Sequence, residues 1–182
     1  MGRRFGGAKA FALLPDGRNF LTSCFQGLDA AGGHPVLATL PRGIEGTIPT
    51  GLLHRRVDPD LDMFGSLRLG LKTLLEFDLW ETVIILPVDH PLIDRTTFQR
   101  LSSTSAPAAI ATYKSHHGHP VALARNIASG IVDRSLPGPT LREVLRATGA
   151  IDVEVDDPQT RANCNTPNTL EQAWRLKHHH SD

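Results

Sequence analysis

Features common in secreted, membrane-spanning and nucleic-acid-binding proteins are scarce or missing in this sequence. It has only two cysteines, Cys24 and Cys164, which lie far apart and follow no metal-ligand spacing. We therefore expect both thiols to be reduced and packed rather than joined in a disulfide. No apolar run reaches the ~20 residues that cross a bilayer, and no apolar secretion-signal segment follows the basic N-terminus. These absences predict a cytoplasmic protein with no membrane partner.

An excess of charge of one sign is also missing, because 19 lysines and arginines balance 19 aspartates and glutamates. A general nucleic-acid binder usually carries a basic excess, so we expect no nucleic-acid partner. The 182 residues fit one domain with a single core, and no repeat or linker divides them. We predict one domain over residues 1–176 and a polar tail over residues 177–182.

Apolar periodicities predict helices and strands that follow one another along the chain. The predicted helices cover residues 19–31, 64–77, 96–101 (capped by Asp94) and 140–147, and a last helix opens at Thr166-Pro167. The predicted strands cover residues 34–40, 54–57, 82–86, 108–113, 119–123 and 151–155. The uninterrupted apolar run at 82–86 is typical of a parallel strand covered on both faces. This order predicts the α/β class with a mostly parallel, doubly wound sheet.

The N-terminal run from Gly2 to Lys9 has the composition of a phosphate-binding loop. Its glycines would let backbone N–H groups approach phosphate oxygens, and its arginines and lysine would neutralise charge. Loops of this kind normally follow a buried strand, and none precedes this one in the sequence. Two explanations are open: the strand lies upstream of Met1, or the chain is a shortened relative of a nucleotide-binding protein.

Two oxygen-bearing side chains lie where an α/β sheet binds ligands, at the carboxyl ends of its strands. Asp89 follows the strand at 82–86, and Asn165 directly precedes the last helix. Carboxylate and amide oxygens are ligands for a hard cation such as Mg²⁺. Either residue could serve the backbone instead, Asp89 in a turn and Asn165 in a helix-capping phrase. Asp156-Asp157-Pro158 is predicted to be a turn only.

Two further segments also allow a structural and a functional interpretation. The histidines at 116, 117 and 119 suggest zinc, but no cysteine or acidic partner lies nearby in the sequence. A loop beside a strand is therefore favoured there. Gly65-Ser66-Leu67 begins a predicted helix, whose N–H groups serve either the helix alone or a ligand.

Taken in order, several segments resemble the MobA-like nucleotidyltransferases, particularly the branch with molybdenum cofactor cytidylyltransferase. That family opens with a strand and L-A-A-G-x-S-x-R-[MF]-G-x-x-K, whose second half matches Arg4-Phe5-Gly6-Gly7-Ala8-Lys9. The remaining matches are Leu14 to Leu21 with the segment before the first helix, Met63 to Leu71 with G-M-x-x-S-L-x-x-G-L, Pro87 to Leu92 with G-D-Q-P-L, Gly118 to Val121 with G-H-P-V, and Asn163 to Pro167 with D-x-D-T-P.

The resemblance implies a Rossmann-like three-layer fold of the nucleotide-diphospho-sugar transferase type, here lacking its first strand. It also implies roles for individual residues of this sequence. These are Arg4, Lys9 and Asp89 in catalysis, Gly6, Gly7, Lys9 and Ser66 in nucleotide binding, Gly118, His119 and Pro120 in acceptor binding, and Asp89 and Asn165 as ligands of Mg²⁺.

The implied activity is transfer of a nucleotide from an NTP, CTP favoured and GTP the alternative, to a phosphorylated acceptor such as molybdopterin. A molybdoenzyme or a chaperone would be its protein partner. Three departures from the family pattern qualify this expectation: the L-A-A-G-x-S half is absent, Asn163 and Asn165 replace acidic residues, and His90 replaces glutamine. The first of them, the missing half-loop, keeps open a second interpretation, a non-catalytic member that binds a nucleotide or a pterin.

Overall fold

The computed structural model describes residues 8–78 and 80–179 and has the α/β class predicted from the sequence. Its helices are α1 (Phe20–Ala30), α2 (Met63–Leu74), α3 (Arg95–Ser102), α4 (Arg125–Asp133), α5 (Leu141–Ala147) and α6 (Pro167–His179). Its strands are β1 (Leu37–Pro41), β2 (Leu53–Val57), β3 (Thr82–Ile85), β4 (Ala108–Tyr113), β5 (His116–Ala124) and β6 (Ile151–Glu154). None of the described helices is both long and apolar enough to cross a membrane.

The strands form two hydrogen-bonded groups, a pair β1-β2 and a four-stranded sheet in the order β3-β5-β4-β6. β1 and β2 are parallel, and so are β4 and β6. β5 runs against both β3 and β4, so three of the four strands in the larger sheet point the same way. The predicted mostly parallel sheet is confirmed, with β5 as its reversed strand.

Helices cover both faces of the larger sheet because β5 turns successive side chains to opposite sides. Val121 and Leu123 pack in one cluster with Leu71 of α2, and Ala122 packs in another with Leu101 of α3. All five side chains are buried. This alternation gives the three layers that the family resemblance implies.

A cavity of about 1020 Å³ lies between the two groups of strands. Consecutive residues of both neighbouring strands line it, Leu37–Pro41 of β1 and Val83–Ile85 of β3, as expected where a strand edge borders a space. Within the described ranges β1 pairs only with β2, and β3 only with β5. The chain reaches this cavity at Ala8 and Lys9. Within the described residues, no hydrogen-bonded strand joins the two groups across this cavity.

The structure corrects three details of the sequence prediction. α4 was not predicted; it starts directly after β5, and its buried face has only small or isolated apolar residues such as Ala128 and Ile131. The predicted loop at His116 and His117 is wrong, because both belong to β5. The predicted polar tail begins inside α6, where the Lys177 side chain donates a hydrogen bond to Asp94 of the turn before α3.

We expect an apolar strand added N-terminal to residue 1 to stabilise the protein, because it can pair with β1 and β3 in the gap between the two groups of strands. The melting temperature should rise by about 5 °C or more, since buried apolar side chains contribute a few kcal/mol. Differential scanning calorimetry would compare it with a Gly/Ser extension of equal length. Equal melting temperatures for the two extensions would contradict strand addition at this cavity.

Candidate functional site

Three polar side chains from distant parts of the sequence meet beyond the end of β3. The ammonium group of Lys9 donates hydrogen bonds to Asp89 Oδ2, at 3.1 Å, and to Asn165 Oδ1. The side chains of Lys9 and Asp89 are 20% and 18% exposed, so water reaches the pair only partly. The structure therefore brings together the two predicted cation ligands and the predicted phosphate-binding lysine.

Hydrogen bonds of the backbone hold the two loops that carry Asp89 and Asn165. The Cys164 N–H group donates to the Asp89 carbonyl oxygen at 2.8 Å, which joins the two loops directly. The Asn165 N–H group donates to Thr169 Oγ1 of α6 at 3.1 Å. Thr166 Oγ1 accepts from the Thr169 N–H group and so caps α6. The Asn165 side chain is thus free of the capping role and turns toward Lys9.

Two histidine rings pack next to this cluster. The centroids of His90 and His119 lie 4.9 Å apart with the rings inclined at 62°. His90 is buried, and its Nδ1 atom lies 3.4 Å from the carbonyl oxygen of Gln159. Nδ1 of His119 is buried without a hydrogen-bond partner among the described residues. The two rings form a largely apolar wall beside Asp89.

Burial keeps both rings neutral. It lowers the pKa of His119 to about 4, with the neighbouring His90 adding to the shift and the Asp89 carboxylate opposing it. Burial is also the main cause that lowers the pKa of His90. The charged side chains of the group formed by Lys9, Asp89, Asn165 and the two rings are therefore Lys9 and Asp89, which form an ion pair.

The two cysteines are free and buried near the same loops, in agreement with the expectation of reduced thiols. The Cys24 thiol lies 3.8 Å from the Val88 carbonyl oxygen, under the Asp89 loop. Burial raises the pKa of Cys24, and it raises the pKa of Cys164 to about 12. Neither thiol has the lowered pKa of a nucleophile.

The predicted nucleotide- and acceptor-binding residues lie at different places. Lys9, Ser66 and His119 all line the cavity between β1 and β3. The Ser66 N–H group already donates to the Asp62 carbonyl oxygen at 2.9 Å, so Ser66 can offer only its side chain to a ligand. Arg4, Gly6 and Gly7 lie outside the described residues.

Gly118 and Pro120 are set by packing. A Cβ atom on Gly118 would lie 2.4 Å from the Thr160 carbonyl oxygen, so only glycine fits. Pro120 is fully buried. Of the three predicted acceptor residues, His119 alone lines the cavity, and the other two shape the strand that carries it.

The donor set at Asp89 and Asn165 fits a hard cation, because both oxygens already converge on the positive charge of Lys9. In residues 8–78 and 80–179, this site included, no group of three or more His, Cys, Asp or Glu side chains is arranged to hold a metal ion. One carboxylate and one amide fill only two ligand positions of a metal ion, and other ligands must fill the rest. Such incomplete sites suit Mg²⁺ bound together with substrate phosphates.

Asp157 supports this site and was missed by the sequence analysis, which assigned it to a turn. Its buried carboxylate accepts hydrogen bonds from the Asp94 N–H group at 2.8 Å, from Thr97 Oγ1 at 2.9 Å and from the Gln159 N–H group at 3.0 Å. Gln159 Nε2 in turn donates to the Ala173 carbonyl oxygen at 3.0 Å. Asp157 thus anchors the segment that leads to Asn165.

The three layers and the polar cluster beyond β3 define an α/β protein of the class that binds ligands at the carboxyl ends of its strands. A family model described as the MobA-like NTP transferase domain matches residues 1–152. The chain therefore belongs to the MobA-like NTP transferase family. No curated protein matches the chain.

Solved structures of similar fold cover nearly the whole chain. Rv0371c from Mycobacterium tuberculosis H37Rv has a TM-score of 0.77 at 16% identity, over 95% of this chain and 91% of that one. A structure of Rv0371C in complex with manganese has a TM-score of 0.69 at 16% identity, over 92% and 93%. The 2-C-methyl-D-erythritol 4-phosphate cytidylyltransferase from Thermus thermophilus has a TM-score of 0.69 at 17% identity, over 96% and 95%. These likenesses establish the fold.

We expect the His119 ring to stay neutral at pH 5 in the folded, metal-free protein, and nuclear magnetic resonance of its ring protons should show this. In urea the ring should titrate near ~6.5. As the pH falls, the unfolded state binds the proton at a higher pH than the folded state does. The free energy of unfolding should therefore decrease as the pH falls from about 6.5 to about 4. His119→Asn should make that loss of stability smaller. A pKa of about 6.5 for His119 in the folded protein would contradict the burial argument.

Asp157→Ala should lower the free energy of unfolding by about 2–3 kcal/mol. The substitution leaves three donors without their acceptor: the Asp94 N–H group, Thr97 Oγ1 and the Gln159 N–H group. The neighbouring Asp156→Ala is the matched control, since Asp156 is exposed, and should change stability by less than ~0.5 kcal/mol. Urea unfolding followed by circular dichroism measures both. Equal effects of the two substitutions would show that Asp157 is a surface turn residue.

Proposed function

We propose that the protein is a nucleotidyltransferase that transfers a nucleotide from an NTP, CTP favoured, to a phosphorylated acceptor. The observation that carries this proposal is the convergence of Lys9, Asp89 and Asn165 beyond the end of β3. One cation for phosphate and two oxygens for a metal ion stand at a single point beside a large cavity. Membership of the MobA-like NTP transferase family supports the same reaction class.

The donor nucleotide would bind along the side of the cavity where the chain enters. Lys9 would contact the phosphates there, helped by Arg4 and by the backbone N–H groups of Gly6 and Gly7. Ser66 would contact the nucleotide from α2. CTP is favoured over GTP because one protein of similar fold is named as a cytidylyltransferase.

Asp89 and Asn165 would hold Mg²⁺, since a carboxylate and an amide oxygen are suitable ligands. When bound, the metal neutralises the charge that develops on phosphate oxygens and orients them. The Asp89 and Asn165 loops are joined by the Cys164 N–H hydrogen bond, so the backbones that carry the two ligand side chains are held together before substrate arrives. That preorganisation is what catalysis by charge stabilisation requires.

In the proposed reaction an acceptor phosphate oxygen forms a bond to the α-phosphorus of the NTP. The bond from the α-phosphorus to the bridging oxygen breaks, and pyrophosphate leaves with that oxygen. No general base is needed, because a phosphate acceptor is already anionic. Lys9 and Arg4 would stabilise the departing pyrophosphate.

The acceptor would lie near His119, the predicted acceptor residue that lines the cavity. A neutral ring there gives an apolar wall with no charge to compete with the phosphates. Gly118 and Pro120 would set its position. Molybdopterin is the acceptor we propose, following the branch that the sequence resembles, and a molybdoenzyme or its chaperone would receive the product.

A non-catalytic member of the family is the second candidate. The open cavity between β1 and β3 favours it, because a nucleotide or a pterin could bind there without the strand and half-loop that the family uses. The retained cluster of Lys9 and Asp89 favours catalysis. Turnover separates the two candidates.

Asp89→Ala should reduce metal-dependent turnover at least ~100-fold while leaving the fold intact, because it removes the carboxylate that the proposed metal site depends on. Pyrophosphate release from CTP with Mg²⁺ and molybdopterin measures turnover. Asp94→Ala is the matched control, since Asp94 also pairs with a lysine, Lys177, away from the cavity. It should retain activity.

Calorimetric titration with CTP and Mg²⁺ completes the test on the same proteins and on the strand-extended chain. Binding with turnover supports the transferase, and unchanged turnover in Asp89→Ala would overturn the metal assignment. Binding without turnover in both the 182-residue chain and the extended chain would favour the non-catalytic candidate. Binding by neither chain would overturn the proposed function.

A further inference from the structure

We propose that Lys9 occupies the cation position between Asp89 and Asn165 and excludes a free divalent metal until a nucleoside triphosphate draws the lysine away. The metal and the triphosphate would then bind together rather than independently. This inference rests on the proposed function for the identity of both ligands.

Lys9 stands at the point where the two ligand oxygens converge. Its ammonium group donates hydrogen bonds to Asp89 Oδ2 and Asn165 Oδ1. These two residues lie 80 and 156 positions after Lys9 in the sequence. A metal ion that used both oxygens would have to take the same place. The protein's own cation and a divalent metal therefore compete for one position.

The loops that carry the two oxygens do not depend on Lys9 for their backbone arrangement. The Cys164 N–H group binds the Asp89 carbonyl oxygen, and Thr169 Oγ1 binds the Asn165 N–H group. Both contacts involve backbone atoms and would persist if the lysine left. The site can thus exchange one cation for another without rebuilding its loops.

The charges of the cluster oppose a free metal ion. Asp89 and Lys9 neutralise each other, and Asn165 adds none. A metal ion arriving alone would displace Lys9 from its carboxylate and leave two cations close together, which is unfavourable at a site only partly reached by water.

A triphosphate removes this obstacle. Lys9 lies on the cavity wall, in a short turn, Lys9–Phe11, and its long flexible side chain can move to new oxygens. Phosphate oxygens supply a partner for the ammonium group and the missing ligands for the metal. Each ligand would then raise the affinity for the other, as linkage requires.

The test is Mn²⁺ binding in the absence of nucleotide, measured by electron paramagnetic resonance of the free ion. Lys9→Met and Lys9→Gln should each bind Mn²⁺ at least ~10-fold more tightly than the wild type, because Asp89 loses its internal cation. Lys9→Arg keeps the charge and should bind as weakly as the wild type. Lys177→Met opens the other lysine–aspartate pair, with Asp94, and should change nothing.

Thermal unfolding would show that each variant is folded, and Asp89→Asn in the Lys9→Met background identifies the site. If Mn²⁺ binds no more tightly to folded Lys9→Met or Lys9→Gln than to the wild type, the inference is overturned, and the proposed function stands on CTP binding and turnover. If Mn²⁺ binding tightens but does not depend on Asp89, both the inference and the proposed metal site are wrong. Tighter binding that is lost with Asp89→Asn supports the exclusion of metal by Lys9.

Discussion

The hydrogen bond from the Cys164 N–H group to the Asp89 carbonyl oxygen is the contact on which the site depends. It joins the loop after β3 to the loop before α6, and each loop contributes one side-chain oxygen to the cluster. A backbone bond is well suited to this task, because it leaves the carboxylate and the amide free. It thereby holds together the backbones of the two loops that carry Asp89 and Asn165.

Buried contacts with α3, α6 and β5 hold the segment that precedes α6. Asp157 ties its start to α3, and Gln159 ties it to α6. Gly118 of β5 approaches so closely that Thr160 allows no side chain there. The stiffness of the site thus comes from residues that touch neither Lys9 nor the cavity.

The sequence was sufficient to predict the fold class, and it singled out Asp89 and Asn165, whose oxygens the structure brings together. A strand of continuous apolar residues places Asp89 at a sheet edge, and a threonine cap places Asn165 just before a helix; both rules are local. The Lys9 contact is not local, since it spans 80 and 156 positions. The sequence did not indicate the role of Asp157, because Asp-Asp-Pro occurs both in exposed turns and in buried ones. It did not indicate α4, because Gly130 interrupts the apolar face of that helix.

Asparagine at position 165 gives the cluster its charge balance. With an acidic residue there, as in the family pattern, two carboxylates would face one lysine, and the net negative charge would attract a metal ion alone. With asparagine, Lys9 and Asp89 cancel, and the amide still offers an oxygen to whichever cation is present. In the proposed function, asparagine would keep an oxygen for the metal ion and would lower the affinity of the site for a metal ion that arrives without the triphosphate.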